Sequence, residues 1–319
     1  MDVMFYEVYR EEEVALRKHL PEHIKAEFTE ASIQASGHIS TPAPIISIRT
    51  QSQIPLDWST DLRAILTRSA GFDHLLDYQN KISQKISLGS LGPYCARAVA
   101  EQALLLSLAL LRKLSQQIES LKHFERNGLC GQELKNQKVL VIGVGHIGQE
   151  IIRVFKALGC SVKGVDIEPT VMDVEYIDLN QGARDANIII CALPLTKQTQ
   201  GLLDYDILKN CPKQSLFINI SRGEISPMED LRRLLNEGVL AGLALDVYED
   251  EKILAQYLRG ETDTPSKAAT GILALQNNPN VIFTPHNAFN TQEALINKAK
   301  YAAQAIVSFL DNGQFANQI

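Results

Sequence analysis

Val139-Leu140-Val141-Ile142-Gly143-Val144-Gly145-His146-Ile147-Gly148 is the stretch whose reading decides the fold. Four apolar residues run without a break into a GxGxxG pattern, which suits a strand buried on both faces that turns directly into a helix. Ile147, Ile151, Val154, Phe155 and Leu158 then recur at helical spacing and predict an amphipathic helix over 147–158. Each glycine has its own task in such a turn. Gly143 makes it tight, Gly145 lets a pyrophosphate approach the backbone, and Gly148 lets helix and strand close on each other. His146 and Ile147 fill the variable positions and count with the cofactor segment, His146 as a surface residue. The helix start offers free N–H groups and partial positive charge to phosphates. Asp166 ends the next apolar run, at the right distance to accept hydrogen bonds from the adenosine ribose hydroxyls. It would repel a 2′-phosphate, Glu168 adds negative charge, and no arginine follows directly, so the expected cofactor is NAD and not NADP.

Working outward, strands are expected over 139–143, 161–166, 187–193, 215–221, 240–247 and 281–285, with a helix over 227–237 that opens with proline. This alternation predicts a doubly wound parallel sheet with ligands at the strand carboxyl ends. Upstream, 4–9, 44–49 and 64–68 read as strands and 11–19 as a charged helix. Residues 96 to about 124 read as one long helix, and its Leu-rich middle is apolar on all sides. Such a helix needs cover all round, which suggests a homodimer. A last helix is expected over 291–310. The fold class is therefore α/β with two doubly wound domains: a Rossmann NAD-binding domain, 96–289, inserted into a flavodoxin-like substrate domain made of 1–95 and 290–319.

Three strand ends carry candidate chemistry. Asn219-Ile220-Ser221-Arg222-Gly223 presents a guanidinium, which binds a carboxylate bidentately and stays charged. Thr284-Pro285-His286-Asn287 presents an imidazole, whose ordinary pKa suits moving a hydroxyl proton near neutrality. Asp246-Val247-Tyr248-Glu249-Asp250-Glu251 supplies carboxylates, one of which can fix the imidazole tautomer and favour its protonated form. Singly each is an ordinary surface feature. Their order behind a dinucleotide turn points to hydride transfer at C2 of a 2-hydroxy acid.

The chain has 319 residues and a net charge of −6, which gives no support to nucleic-acid binding. No secretory signal is visible at the N-terminus, and the most apolar stretch, 102–111, is short of the roughly 20 residues that a membrane helix needs. Five cysteines without CxxC spacing read as reduced thiols in a cytoplasmic protein. No metal site is suggested.

These residues resemble the D-isomer-specific 2-hydroxyacid dehydrogenase family over nearly the whole chain. Phe5 to Glu13 is similar to its first strand and turn, Arg68 to His74 to its substrate-side loop, Ala98 to Glu101 to the start of its interdomain helix, and Leu193 to Thr196 to the loop beside the cofactor's adenine half. The resemblance implies a catalytic set of Arg222, His286 and Glu251, with Glu249 a weaker candidate for the carboxylate. It implies further cofactor contacts at Ala192, Pro194, Ser221 and Asp246, and substrate contacts at Tyr94, Arg49 and Thr50. Tyr94, together with the long stretch between Glu251 and His286, which reads as a loop, points to the branch that interconverts pyruvate and D-lactate. Hydroxyisocaproate, glycerate and a non-catalytic NAD-sensing protein are the alternatives. A phosphorylated substrate would need more cations beside Arg49, and Arg49-Thr50-Gln51-Ser52 supplies one. Ser90, the displaced Gly92-Pro93 and Ser221 depart from the family pattern.

Overall fold

In the computed structural model, which describes residues 1–319, the short apolar runs become two separate parallel sheets. The first unit comprises Met1–Cys95 and Asn290–Ile319. It contains β1 (Val3–Phe5), α1 (Arg10–His19), β2 (Ala26–Phe28), β3 (Ile45–Ile48), β4 (Ala64–Thr67), α2 (Asp73–Gln79) and β5 (Ser87–Gly89). The order β2-β1-β3-β4-β5 is flavodoxin-like, all parallel, and reverses direction between β1 and β3. β1, β3 and β4 are buried along their whole length, as continuous apolar strands in a parallel sheet must be. β1 is shorter than the 4–9 expected, because Glu7 turns the chain into the left-handed region at φ 57.

The second unit is Ala96–Phe289. It runs through α3 (Ala96–Leu111), α4 (Leu114–Ser120), β6 (Lys138–Ile142), α5 (His146–Ala157), β7 (Ser161–Val165), β8 (Glu175–Tyr176), α6 (Leu179–Asp185), β9 (Ile188–Cys191) and α7 (Tyr205–Leu208). β10 (Ser215–Asn219), α8 (Met228–Asn236), β11 (Leu240–Leu245), α9 (Glu251–Leu258), α10 (Lys267–Leu275) and β12 (Val281–Phe283) complete it. The seven-stranded order β12-β11-β10-β9-β6-β7-β8 is again all parallel and reverses at β6, as in a Rossmann domain. A core of Ile142, Ile189, Phe217, Leu231, Leu243 and their neighbours fills one side of it. The chain then returns to the first unit through α11 (Gln292–Asn312), whose N-cap Thr291 accepts a hydrogen bond from Ala294 N at 3.1 Å.

Three expectations need correction. The helix expected over 96–124 breaks after Leu111, where Lys113 takes φ 53, and restarts as α4. Within the chain its apolar middle leaves Leu105 55% exposed. The stripe on α5 is finished by Ile152 instead of Leu158, which is exposed as the helix ends at a left-handed Gly159. The stretch between Glu251 and His286 is no loop: it holds α9, α10 and β12.

Candidate active site

Because every strand of the seven-stranded sheet is parallel, the ends of β6, β7, β9, β10, β11 and β12 lie on one edge, and the candidate residues follow those ends. Gly143 leaves β6 at φ 93, and a Cβ there would lie 2.6 Å from Ala192 O. A Cβ on Gly148 would lie 1.9 Å from Gly143 O, so the turn and α5 close only without side chains. Gly145 has nothing within 4 Å of its would-be Cβ, which leaves open space for a pyrophosphate where the helix N–H groups begin. His146 is exposed and Ile147 half-buried in the first turn of α5. Asp166 follows β7. Its Oδ2 accepts from Val144 N at 2.6 Å and its Oδ1 from Glu168 N at 3.0 Å. Both oxygens keep lone pairs for ribose hydroxyls. The set fits a dinucleotide. Half-buried Ala192 and exposed Pro194 follow β9, beside this turn.

Asn219, at the end of β10 and fully buried, organises the Arg222 turn. Its Nδ2 donates to Arg222 O at 2.9 Å and to Ser226 Oγ at 2.8 Å, while its Oδ1 accepts from Ser221 N and Ser221 Oγ, each at 2.9 Å. Ser221 also lies 3.1 Å from Cys191 Sγ. Arg222 is half-buried, and its Nη1 donates to Ser221 O at 2.9 Å.

His286 sits in the left-handed region at φ 51, a conformation that a non-glycine residue holds only when its surroundings impose it. Asp246, fully buried at the end of β11, imposes it. Its Oδ1 accepts from Asn287 N at 3.0 Å and from Thr284 Oγ1, and its Oδ2 accepts from Ala288 N at 2.9 Å. Asp246 was expected among the cofactor contacts; its carboxylate is taken up beneath the loop that carries the imidazole. Tyr248 OH donates to Thr284 O at 2.7 Å, and burial pushes its hydroxyl well above the usual range, so it stays a neutral donor. His286 Nδ1 lies 2.7 Å and 3.0 Å from the two oxygens of Glu251. Glu249 is occupied elsewhere, its Oε2 accepting from Met228 N at 2.7 Å at the start of α8. Strands lie roughly 4.8 Å apart, so the ends of β10 and β12, two strands apart, are about 10 Å from each other, within side-chain reach of one small molecule.

The first unit has its own polar edge. Arg49 and exposed Thr50 follow β3, Arg68 follows β4, and Glu7 follows β1. Glu7 carries a buried carboxylate that accepts from Arg49 N at 2.8 Å, Gln51 N at 3.1 Å and Ser52 N at 3.2 Å. Fully buried Arg68 donates to Glu12 Oε1 at 2.9 Å, Ser47 Oγ at 3.0 Å, Tyr6 O at 2.6 Å and Glu7 O at 3.2 Å. The other oxygen of Glu12 accepts from Lys298 Nζ at 2.8 Å. Burial works against the Glu12 carboxylate, but Arg68 and Lys298 outweigh it and hold its pKa low. Burial pushes the Lys298 ammonium down to about 8. Tyr94 is buried, and burial holds its hydroxyl protonated.

Residues 104–288 match the family described as D-isomer specific 2-hydroxyacid dehydrogenase, NAD binding domain, more than half of the chain. The chain belongs to that family. It is an NAD-dependent oxidoreductase, and residues 104–288 are its NAD-binding domain. A D-lactate dehydrogenase of Staphylococcus epidermidis is 28% identical over 261 residues, which cover 80% of this chain and 78% of that one. A D-lactate dehydrogenase of Streptococcus pyogenes is 26% identical over the full length of both chains. The crystal structure of a D-lactate dehydrogenase from Aquifex aeolicus, complexed with NAD and lactic acid, superposes with a TM-score of 0.85 at 25% identity, covering 99% of each chain.

Some residues that shape the strand ends of each unit are not legible as such in sequence. Asn219, Thr284 and Tyr248 act through hydrogen bonds to backbone, which no spacing rule announces; the one available signal is that each lies within two residues of a candidate. Glu12 sits in an acidic run, Arg10-Glu11-Glu12-Glu13, that reads as a solvated face, yet it alone of the three carboxylates is buried.

Proposed function

We propose that this chain reduces small 2-keto acids to D-2-hydroxy acids with NADH, with pyruvate and D-lactate as the reference pair. The observation that carries the reading is the imidazole–carboxylate pair, His286 Nδ1 to Glu251 at 2.7 Å, held on the same sheet edge as Arg222 and the glycine turn. NADH, when bound, supplies the hydride. Arg222 binds the substrate carboxylate through its guanidinium fork. Glu251 takes Nδ1, so Nε2 is the nitrogen from which protonated His286 hands its proton to the carbonyl oxygen. Glu251 keeps that tautomer and orientation, and Asp246 keeps the loop. Gly143 to Gly148, Asp166, Ala192, Pro194 and Ser221 are the proposed cofactor contacts. Within the first unit, Tyr94, Arg49 and Thr50 are the proposed substrate contacts.

The test is loss of NADH absorbance on adding pyruvate, with NADPH in parallel. Turnover with NADH and little with NADPH is expected, because Asp166 would repel the extra phosphate. Absence of NADH oxidation with every 2-keto acid tried would sink the reading. We also propose a cytoplasmic homodimer. Its support is apolar surface at Ile118, Leu121 and Phe124 and five free cysteines. No helix is long and apolar enough to cross a membrane. A monomeric mass in solution would contradict the dimer.

A further inference from the structure

α8 begins without a side-chain acceptor of its own. Its N-cap residue is Pro227, which has no polar side-chain atom to cap with. The first helical N–H, on Met228, is answered instead by Glu249 Oε2 at 2.7 Å, from a segment 21 residues later. The partial positive charge at the helix start favours a carboxylate there. Gly223, the residue after Arg222, lies against the same segment. A Cβ on Gly223 would stand 1.9 Å from the Tyr248 carbonyl carbon and 2.1 Å from Glu249 N. Both are backbone atoms, so the contact closes only because residue 223 is a glycine. Gly223 and Met228, on either side of the short turn that follows Arg222, are thus both fastened to the peptide joining Tyr248 and Glu249.

That peptide also leads to the imidazole. Tyr248 OH donates to Thr284 O at 2.7 Å, two residues before His286. Beyond Glu249 the chain turns through Asp250 at φ 51 and starts α9, whose first residue, Glu251, faces His286 Nδ1 at 2.7 Å. Ile253 N and Leu254 N donate to Asp250 O at 2.8 Å and 3.0 Å, so the placement of Asp250 sets the direction in which Glu251 leaves. Asn219 and Asp246 hold the shapes of the Arg222 turn and the His286 loop; the 248–249 peptide ties one to the other.

We propose that Glu249 is a positioning residue of the reductase site. By holding Met228 N, with Gly223 as the surface it closes on, it fixes where the Arg222 turn stands relative to the His286–Glu251 pair. This rests on the reading of the chain as a 2-keto acid reductase. In this role Glu249 moves no proton and binds no substrate; it acts through placement. A displacement of about 1 Å between groups that must meet one small molecule can cost about 10²-fold in rate.

The experiment measures kcat and KM for pyruvate, or for whichever 2-keto acid the wild type reduces best, together with KM for NADH and the urea midpoint. It uses the full chain as wild type, Glu249→Ala, Glu249→Gln and Gly223→Ala, with kinetics in the absence of urea. Glu249→Ala should lower kcat about tenfold or more, the worth of one charge-assisted hydrogen bond. KM for NADH should stay unchanged, because the glycine turn at 143–148 is untouched. Glu249→Gln keeps an amide oxygen for Met228 N and should recover most of the turnover. Gly223→Ala should cost about 10²-fold, since its methyl group forces the turn off the peptide. Should that variant not fold, the two Glu249 variants decide. A mere helix cap would lower the urea midpoint of Glu249→Ala and leave the kcat of the folded protein as in wild type. That result, or a Glu249→Gln no better than Glu249→Ala, overturns the positioning role and leaves the reductase reading standing. A wild type that reduces no keto acid overturns both.

Discussion

At the carboxyl edge of the seven-stranded sheet, the candidate groups sit in short consecutive segments at strand ends: Gly143 to Gly148, Ser221 with Arg222, and His286. At the same edge of the five-stranded sheet, the charged cluster is assembled from Glu7, Glu12, Arg49, Arg68 and Lys298, spread from one end of the chain to the other. On the proposed function, hydride transfer from a dinucleotide would fix the geometry of turn, guanidinium and imidazole at the first edge. The second is held together by buried ion pairs and backbone hydrogen bonds. The first edge is thus written locally in this sequence, and the second is written by tertiary contacts.

The sharpest way to break the contrast is at His286. Substituting His286→Gln should lower turnover by about 10²- to 10⁴-fold with every keto acid, since the proton donor is common to all. Steady-state kcat with pyruvate and 2-ketobutyrate checks this, and a loss confined to one substrate would contradict that role.

A smaller effect is expected at Glu12. Glu12→Gln leaves two cations facing each other in a buried site, and breaking a buried ion cluster in this way costs about 3–5 kcal/mol. Because the folded-state pKa of Glu12 lies below its ordinary value, its contribution is present above about pH 4.5 and is lost as pH falls through the folded value. Denaturant midpoints of wild type and variant should therefore differ most near neutrality and converge in acid. A difference that persists unchanged at low pH would show that the carboxylate charge is not what holds the cluster.

How much of this was legible in the sequence follows the same division. The parallel sheet, the glycine turn and the family resemblance could be read from Val139 to Gly148 because each depends on spacing within a dozen residues. The choice between Glu249 and Glu251 rested on resemblance alone; the fold gives Glu249 to the start of α8 and Glu251 to His286. The break at Lys113 was hidden because Leu-rich periodicity continues on both sides of it. Asp246 was legible as important but not in what it touches, because its three donors lie in a segment about 40 residues later. Lys298 was invisible, since a lysine on a surface-seeming helix announces nothing about the carboxylate it will meet.

The most direct test of the central claim is a structure of the full chain with NADH and oxamate, an unreactive mimic of a 2-keto acid. The account predicts the mimic's carboxylate on the Arg222 guanidinium and its amide oxygen at about 2.6–3.2 Å from His286 Nε2, with Nδ1 still on Glu251. Oxamate bound away from Arg222, or a His286 whose Nε2 points elsewhere when the ligands are in place, would contradict it.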